Sequence, residues 1–277
     1  MKKITIVTGA SSGLGLEFAR ELAARTGGQP LDELWLVARR VDRLSALSGE
    51  LEKAAPGLTV KPVPADLGGR AGGLVLGGLL SKAAAECGGI LVDTLVNNAG
   101  FGTYGRFDTT GLDRQLDEID INVTSLTAVT GAVLPYMDRG SRIINTASLA
   151  AFSAMGGFAV YAASKAYVLS FSLGLAAELE SKGIAVIALC PGSVDTEFAG
   201  VASEGVRQKV AGGKDPRLVV RHCLKMIERG KKIAIMTPKW RLKAFLPRLF
   251  GRYFTAKVTM YTEKRPSRAD QPNAGEA

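Results

Sequence analysis

The stretch Ile4-Thr5-Ile6-Val7-Thr8-Gly9-Ala10-Ser11-Ser12-Gly13-Leu14-Gly15 decides the architecture. Five β-prone residues run without a charge into a glycine, and a helix-period pattern begins at Leu14 and continues to Arg25. A fully buried strand that turns directly into a helix is the first half of a βαβ unit, the building block of parallel sheets covered on both faces. Gly9, Gly13 and Gly15 fall at the spacing GxxxGxG. Glycines placed there permit a tight turn and let a pyrophosphate approach the backbone N–H groups at the positive end of a helix. A plain strand-to-helix connection would use glycine too, so the rest of the chain has to select between the two.

The same rhythm recurs outward from this stretch. Apolar runs at 33–39, 58–67, 93–100, 141–148 and 184–192 read as strands whose C-terminal ends carry polar or glycine residues, and 231–238 reads as a seventh. Helix-period patterns occupy 43–55, 112–136 and 160–182. Between 67 and 89 repeated glycines interrupt the expected helix, each disfavouring it by about 1 kcal/mol relative to alanine, and only 73–87 is kept. The expected fold is therefore a single doubly wound (Rossmann) parallel α/β sheet over residues 1–238.

Composition agrees with a globular chain. Of 277 residues, 47% are hydrophobic and 22% charged, enough apolar material for a large core. Cys87, Cys190 and Cys223 are odd in number and fall in no CxxC pattern. That argues against a disulfide framework or a zinc site and suits a reducing cytoplasm. The lysines of the opening "MKK" precede an apolar run too short for a signal peptide, and no stretch reaches 18 apolar residues. His222 is the only histidine, which argues against a Ser-His-Asp triad and against a histidine-rich metal site; no metal is expected.

Ligands of open parallel sheets bind beyond the C-terminal strand ends, and candidates crowd there. One helix further, Tyr161 and Lys165 in "YAASK" stand four residues apart, so they share a helix face. Such a pair also occurs on ordinary solvated helices.

Taken together, the GxxxGxG turn, "NNAG" at 97–100, Asn122, Ser148, "YAASK" at 161–165 and "PGSVDT" at 191–196 resemble the short-chain dehydrogenase/reductase family, in its order and approximate spacing, over about residues 1–238. The segment "ARRVDRL" at 38–44 resembles its bacterial, NADP-preferring oxidoreductases. The resemblance implies that Tyr161 exchanges a proton with a carbonyl or alcohol, that Lys165 holds the nicotinamide ribose, that Ser148 binds the substrate oxygen, and that Asn122 supports a water path to the lysine. A free phenol titrates near 10, and an ammonium at about 4 Å is worth roughly 4 kcal/mol at an effective dielectric near 20. Lys165, helped by the oxidised nicotinamide, is accordingly expected to bring Tyr161 toward neutrality.

For the cofactor, the resemblance implies contacts from the glycine turn (Gly9, Ser11, Ser12, Gly13, Leu14, Gly15), Asp66 beside the adenine, Asn97, Asn98, Ala99 and Gly100 at the nucleotide floor, and Pro191, Gly192, Val194 and Thr196 around the nicotinamide. Family members that prefer NAD place an acid after the second strand, where this chain has Ala38, Arg39 and Arg40. Arginines there suit the 2′-phosphate of NADP(H), or else merely solvate a strand end.

Residues 225–265 hold 12 Lys or Arg against 2 acids, so the net charge of +9 is local to this part of the chain. Within it, Leu242, Phe245, Leu246, Leu249, Phe250, Tyr253 and Phe254 fall at helical spacing, Thr237 before Pro238 suits a helix start, and Pro247 suits a kink or a second start. Residues 239–263 are expected as a basic amphipathic helical extension. It either closes over the substrate cleft or a subunit interface, or its 239–254 portion meets an anionic membrane. Nucleic acid is not an expected partner, and residues 264–277 read as a disordered tail. The expected activity is NADP(H)-dependent hydride transfer between nicotinamide and a secondary alcohol or ketone, by a homodimer or homotetramer. Leu149, Phe152, Met155 and Phe158 suggest a lipophilic substrate. A non-catalytic NADP(H)-binding sensor or scaffold is the alternative.

Overall fold

A computed structural model of the chain describes residues 1–25, 31–207, 212–263, 265, 266 and 268. Seven parallel strands, Lys2–Thr8 (β1), Glu33–Ala38 (β2), Thr59–Pro64 (β3), Ile90–Asn97 (β4), Arg142–Thr146 (β5), Ala185–Leu189 (β6) and Ile233–Ala234 (β7), form one sheet in the order β3-β2-β1-β4-β5-β6-β7. The winding reverses between β1 and β4, which opens a crevice beyond their C-terminal ends. The last strand is shorter than 231–238 because only Ile233 and Ala234 pair with β6.

The helices are Gly13–Ala24 (α1), Val41–Ala54 (α2), Gly69–Cys87 (α3), Leu112–Ile119 (α4), Leu126–Val133 (α5), Ala159–Glu178 (α6), Phe198–Ala202 (α7) and Pro216–Glu228 (α8). They cover both faces. Strand side chains alternate as a pleated strand requires: Val7, Leu34 and Leu36 join α1, α2 and α8 in one buried layer, whereas Ile4, Ile6, Trp35 and Val37 join α3, α5 and α6 in the other. Burial on both faces is why these strands read as unbroken apolar runs. Helix α6 is long and apolar enough to cross a membrane by length and composition, contrary to expectation, but its buried face carries Tyr161 and Lys165 into the protein core.

The glycine-rich helix is intact and longer than expected. Gly73 is a packing device: a Cβ there would lie 2.6 Å from the Ala128 Cβ of α5 and 2.8 Å from its backbone. Intrinsic propensity favours Gly73→Ala by about 1 kcal/mol, yet the clash should reverse the sign and destabilise the fold by roughly 1–3 kcal/mol. Urea denaturation measures it; a variant more stable than the parent would show that α3 and α5 can separate without loss.

Beyond β7 the extension forms three short helices, Pro238–Phe245 (α9), Pro247–Phe250 (α10) and Arg252–Thr262 (α11), so Pro247 is a second start and not a kink. Thr237 caps α9 by accepting from Trp240 N at 3.1 Å, Pro247 begins α10, and Gly251 breaks the chain at φ 75°. Trp240 anchors α9 on Gly192, where a Cβ would stand 2.5 Å from the indole. Met260 anchors α11 on Gly156 in the same manner, at 2.7 Å. Arg265, expected in the tail, donates to the Gly156 carbonyl at 2.9 Å and covers the Phe158 ring at 5.4 Å. Most of the 264–277 tail lies outside the described residues.

Candidate active site

A cleft of about 1670 Å³ runs along the C-terminal strand ends from the glycine turn to the extension. Its floor is set by Thr8 at the end of β1. That hydroxyl donates to Val96 O at 3.1 Å and accepts from the Asn98 and Ala99 amides at 2.9 and 3.0 Å, so it fastens residues 98–99 to the first strand. Gly9 and Gly13 take left-handed conformations, and a Cβ on Gly15 would sit 2.2 Å from the Gly9 carbonyl. Only glycine fits at that crossing. The turn runs directly into α1, whose first turn holds no acidic side chain. It fits a pyrophosphate on chemical grounds: free amides at a helix N-terminus and a closely approaching backbone.

Arg40 lies beside this turn. Its guanidinium donates to Ser11 Oγ at 3.1 Å, Ser12 Oγ at 2.7 Å and Glu197 Oε2 at 2.9 Å, and Arg43 shares Glu197. Arg39, Asp66 and Gly100 are exposed on the cleft wall, Leu14 is half-buried there, and Pro191, Gly192, Val194 and Thr196 also line the cleft. Every residue expected at the cofactor site except Asn97 and Gly15 lines the cleft; Asn97 is buried behind it and Gly15 is the pivot under it.

The chemical end is built on α6, β5 and the turn after it. Ser148 begins a 3₁₀ turn over Leu149–Phe152 and accepts from Ala150 N at 3.1 Å. Tyr161 is 7% exposed and stacks on Phe158 with ring centroids 4.2 Å apart. Asn122 lies in a π-helical turn, Asp120–Ser125, between α4 and α5. Its side-chain amide donates to Phe101 O at 2.8 Å and Ser164 Oγ at 3.0 Å and accepts from Phe101 N at 3.1 Å, clamping the cleft floor to the helix that carries Lys165. Such wide turns expose a side chain that a regular helix would point elsewhere.

The expected coupling of Tyr161 to Lys165 needs correction. The ammonium donates to Thr146 O at 2.9 Å and lies 5.7 Å from the phenol ring centroid. Burial therefore dominates the phenol and pushes it above its ordinary value, with nearby Ser148 opposing the rise. Burial also lowers Lys165 to about 8, while the charge of Glu118 opposes that fall. Phe152 is a second correction: it packs with the buried cluster of Leu126, Ala147 and Val168, whereas Leu149, Met155 and Phe158 do line the cleft.

Asn145 and Glu118 escaped sequence reasoning. Asn97 donates to Thr130 Oγ1 and Asn145 Oδ1, both at 2.9 Å, and Asn145 donates to Ser172 Oγ at 3.0 Å, a buried polar chain tying β4, β5, α5 and α6 together behind the site. Glu118, one turn before Asn122, is fully buried, and burial raises it to about 7, opposed first by the nearby Thr103 hydroxyl and then by the charges of Lys165 and Arg114. The packing of α4 on α6 and on the Asp120–Ser125 turn buries it. Because the folded state holds this proton more tightly than the unfolded chain, stability should fall as pH rises from about 4.5 to 7, by up to roughly 3 kcal/mol. Glu118→Gln should flatten that fall in thermal melts taken across the range. An unchanged slope would assign it to other groups.

The family model for short chain dehydrogenase matches residues 3–206. The chain belongs to that family. It is similar to an uncharacterized oxidoreductase of Myxococcus xanthus, at 36% identity over 198 residues, 71% of this chain and 74% of the relative. Its fold is similar to a short-chain dehydrogenase from Sphingobium yanoikuyae in complex with NADPH, with a TM-score of 0.74 and 28% identity over 100% of this chain and 99% of the other. A short chain dehydrogenase/reductase from Burkholderia phymatum in complex with NAD shares the fold at a TM-score of 0.74 and 22% identity, covering 90% and 93% of the two chains. The chain is thus an oxidoreductase of the short-chain dehydrogenase type.

Proposed function

We propose that the protein is an NADP(H)-dependent reductase of lipophilic ketones, or in reverse a dehydrogenase of the corresponding secondary alcohols. The observation that carries this reading is the continuity of one cleft, from Arg39 and Arg40 at the glycine turn, through Ser148, Tyr161 and Lys165, to an apolar wall of Met155, Phe158, Leu246, Phe250 and Phe254. NADP(H), when bound, supplies or accepts the hydride. Ser148 orients the substrate oxygen, Tyr161 holds the proton that oxygen gains or loses, and Lys165 secures the ribose. The intact trio of Ser148, Tyr161 and Lys165 favours catalysis over a sensor or scaffold, which has no need of a buried phenol beside a buried ammonium.

Preference for the 2′-phosphate rests on the two arginines. A hydrogen bond to a charged group is worth about 1.5–3 kcal/mol, so Arg39→Ala and Arg40→Ala should each weaken NADPH by roughly tenfold or more and NADH hardly at all. Fluorescence titration with both cofactors separates the cases. Equal losses would assign the arginines to the fold, through the Ser11, Ser12 and Glu197 contacts of Arg40. A panel of ketones followed by NADPH absorbance tests the activity itself, with turnover rising with the apolar bulk of the substrate as the expected result.

A further inference from the structure

The three C-terminal helices have two sides of different chemistry. Their inner side is anchored by Trp240, Ala244 and Pro247, all buried, and by Met260 against Gly156. Their outer side exposes Leu242, Phe245, Leu249, Tyr253 and Tyr261, at 50–81% of full exposure, none of which lines the cleft. With Phe250, Phe254 and Val258 at the cleft rim, these are eight of the twenty large apolar side chains that the described residues expose. Between residues 238 and 262 there are also six Lys or Arg, all exposed, and no Asp or Glu.

We propose that the outer face of α9–α11 docks the protein on an anionic phospholipid bilayer, with the mouth of the cleft turned toward the lipid. Exposed aromatic and aliphatic side chains interleaved with unopposed cations match an interface of acyl chains below anionic headgroups. A second copy of this chain fits less well. A two-fold contact would place the same patch against itself and bring twelve like charges together with no acid from either segment to offset them. Phe250, Phe254 and Val258 belong both to the exposed patch and to the cleft, so an apolar substrate could pass from the bilayer into the cleft without crossing water. That entry route rests on the proposed ketone activity; the docking does not.

The test uses the full chain and co-sedimentation with neutral phosphatidylcholine liposomes and with liposomes containing phosphatidylglycerol. Expected is sedimentation with the anionic liposomes only, reversed by high salt as headgroup attraction is screened. Arg248→Glu with Arg252→Glu, and separately Leu249→Ser with Tyr253→Ser, should each reduce the bound fraction about tenfold or more. Circular dichroism melts of both variants, together with turnover of a water-soluble ketone, report whether the fold persists. If the folded parent ignores anionic liposomes at low salt, or if neither pair of substitutions weakens binding, the proposal is wrong. Concentration-dependent dimerisation in light scattering that Leu249→Ser with Tyr253→Ser abolishes, without liposome binding by the parent, would reassign the face to a second copy. Liposome binding without turnover of any ketone would leave the docking standing and remove the proposed activity.

Discussion

Tyr161→Phe is expected to lower turnover by about 10² or more while leaving NADPH affinity within about twofold. The substitution removes one hydroxyl and nothing else of consequence. The ring keeps its stack on Phe158 at 4.2 Å and its tilted contact with Phe198 at 5.3 Å, so the cleft wall survives. Ser148 can still bind the substrate oxygen, but no group remains to exchange its proton. Steady-state rates and a fluorescence titration of the same preparation separate chemistry from binding. A variant that reduces its best ketone at the parental rate would remove Tyr161 from the mechanism.

Lys165→Ala is the second large effect, and it should be felt in both binding and chemistry. The side chain is 5% exposed and spans from α6 to the Thr146 carbonyl, beside Gly100 on the nucleotide floor. Its removal leaves that carbonyl without a donor and the ribose without a cation. The cofactor KM should rise and turnover should fall, each by about tenfold or more. With its titration lowered to about 8, the parental lysine is charged below that pH and neutral above it, so cofactor affinity should decline as pH rises through 8. The variant should lack that decline. A parental profile flat between pH 7 and 9, or a variant with the same inflection, would show that the titrating group lies elsewhere.

Much of this site was legible in the sequence because its parts are local. A glycine demanded by a turn, a strand end rich in polar residues, and a Tyr and Lys four apart on one helix are each written within a few consecutive positions. Their meeting in one cleft follows from parallel winding, which delivers every strand's C-terminal end to the same edge. The phenol is instructive in the other direction. Four-residue spacing correctly placed Lys165 on the face of Tyr161, but the direction taken by its amine depends on the Thr146 carbonyl of β5, nineteen positions away in the chain. The desolvation that raises the phenol was invisible in the sequence.

The sequence by itself determined the doubly wound sheet, the glycine turn and the candidate side chains of the cleft, since these follow from hydrophobic period, glycine spacing and residue chemistry over short windows. Tertiary structure alone decided that Gly73 is a contact rather than a helix breaker, that Glu118 is buried rather than solvated, and that the C-terminal aromatics divide between a cleft wall and an outward face. The physical reason is common to all three. Each depends on what another segment, distant in the chain, places within a few ångströms, and no pattern within one element encodes its neighbour.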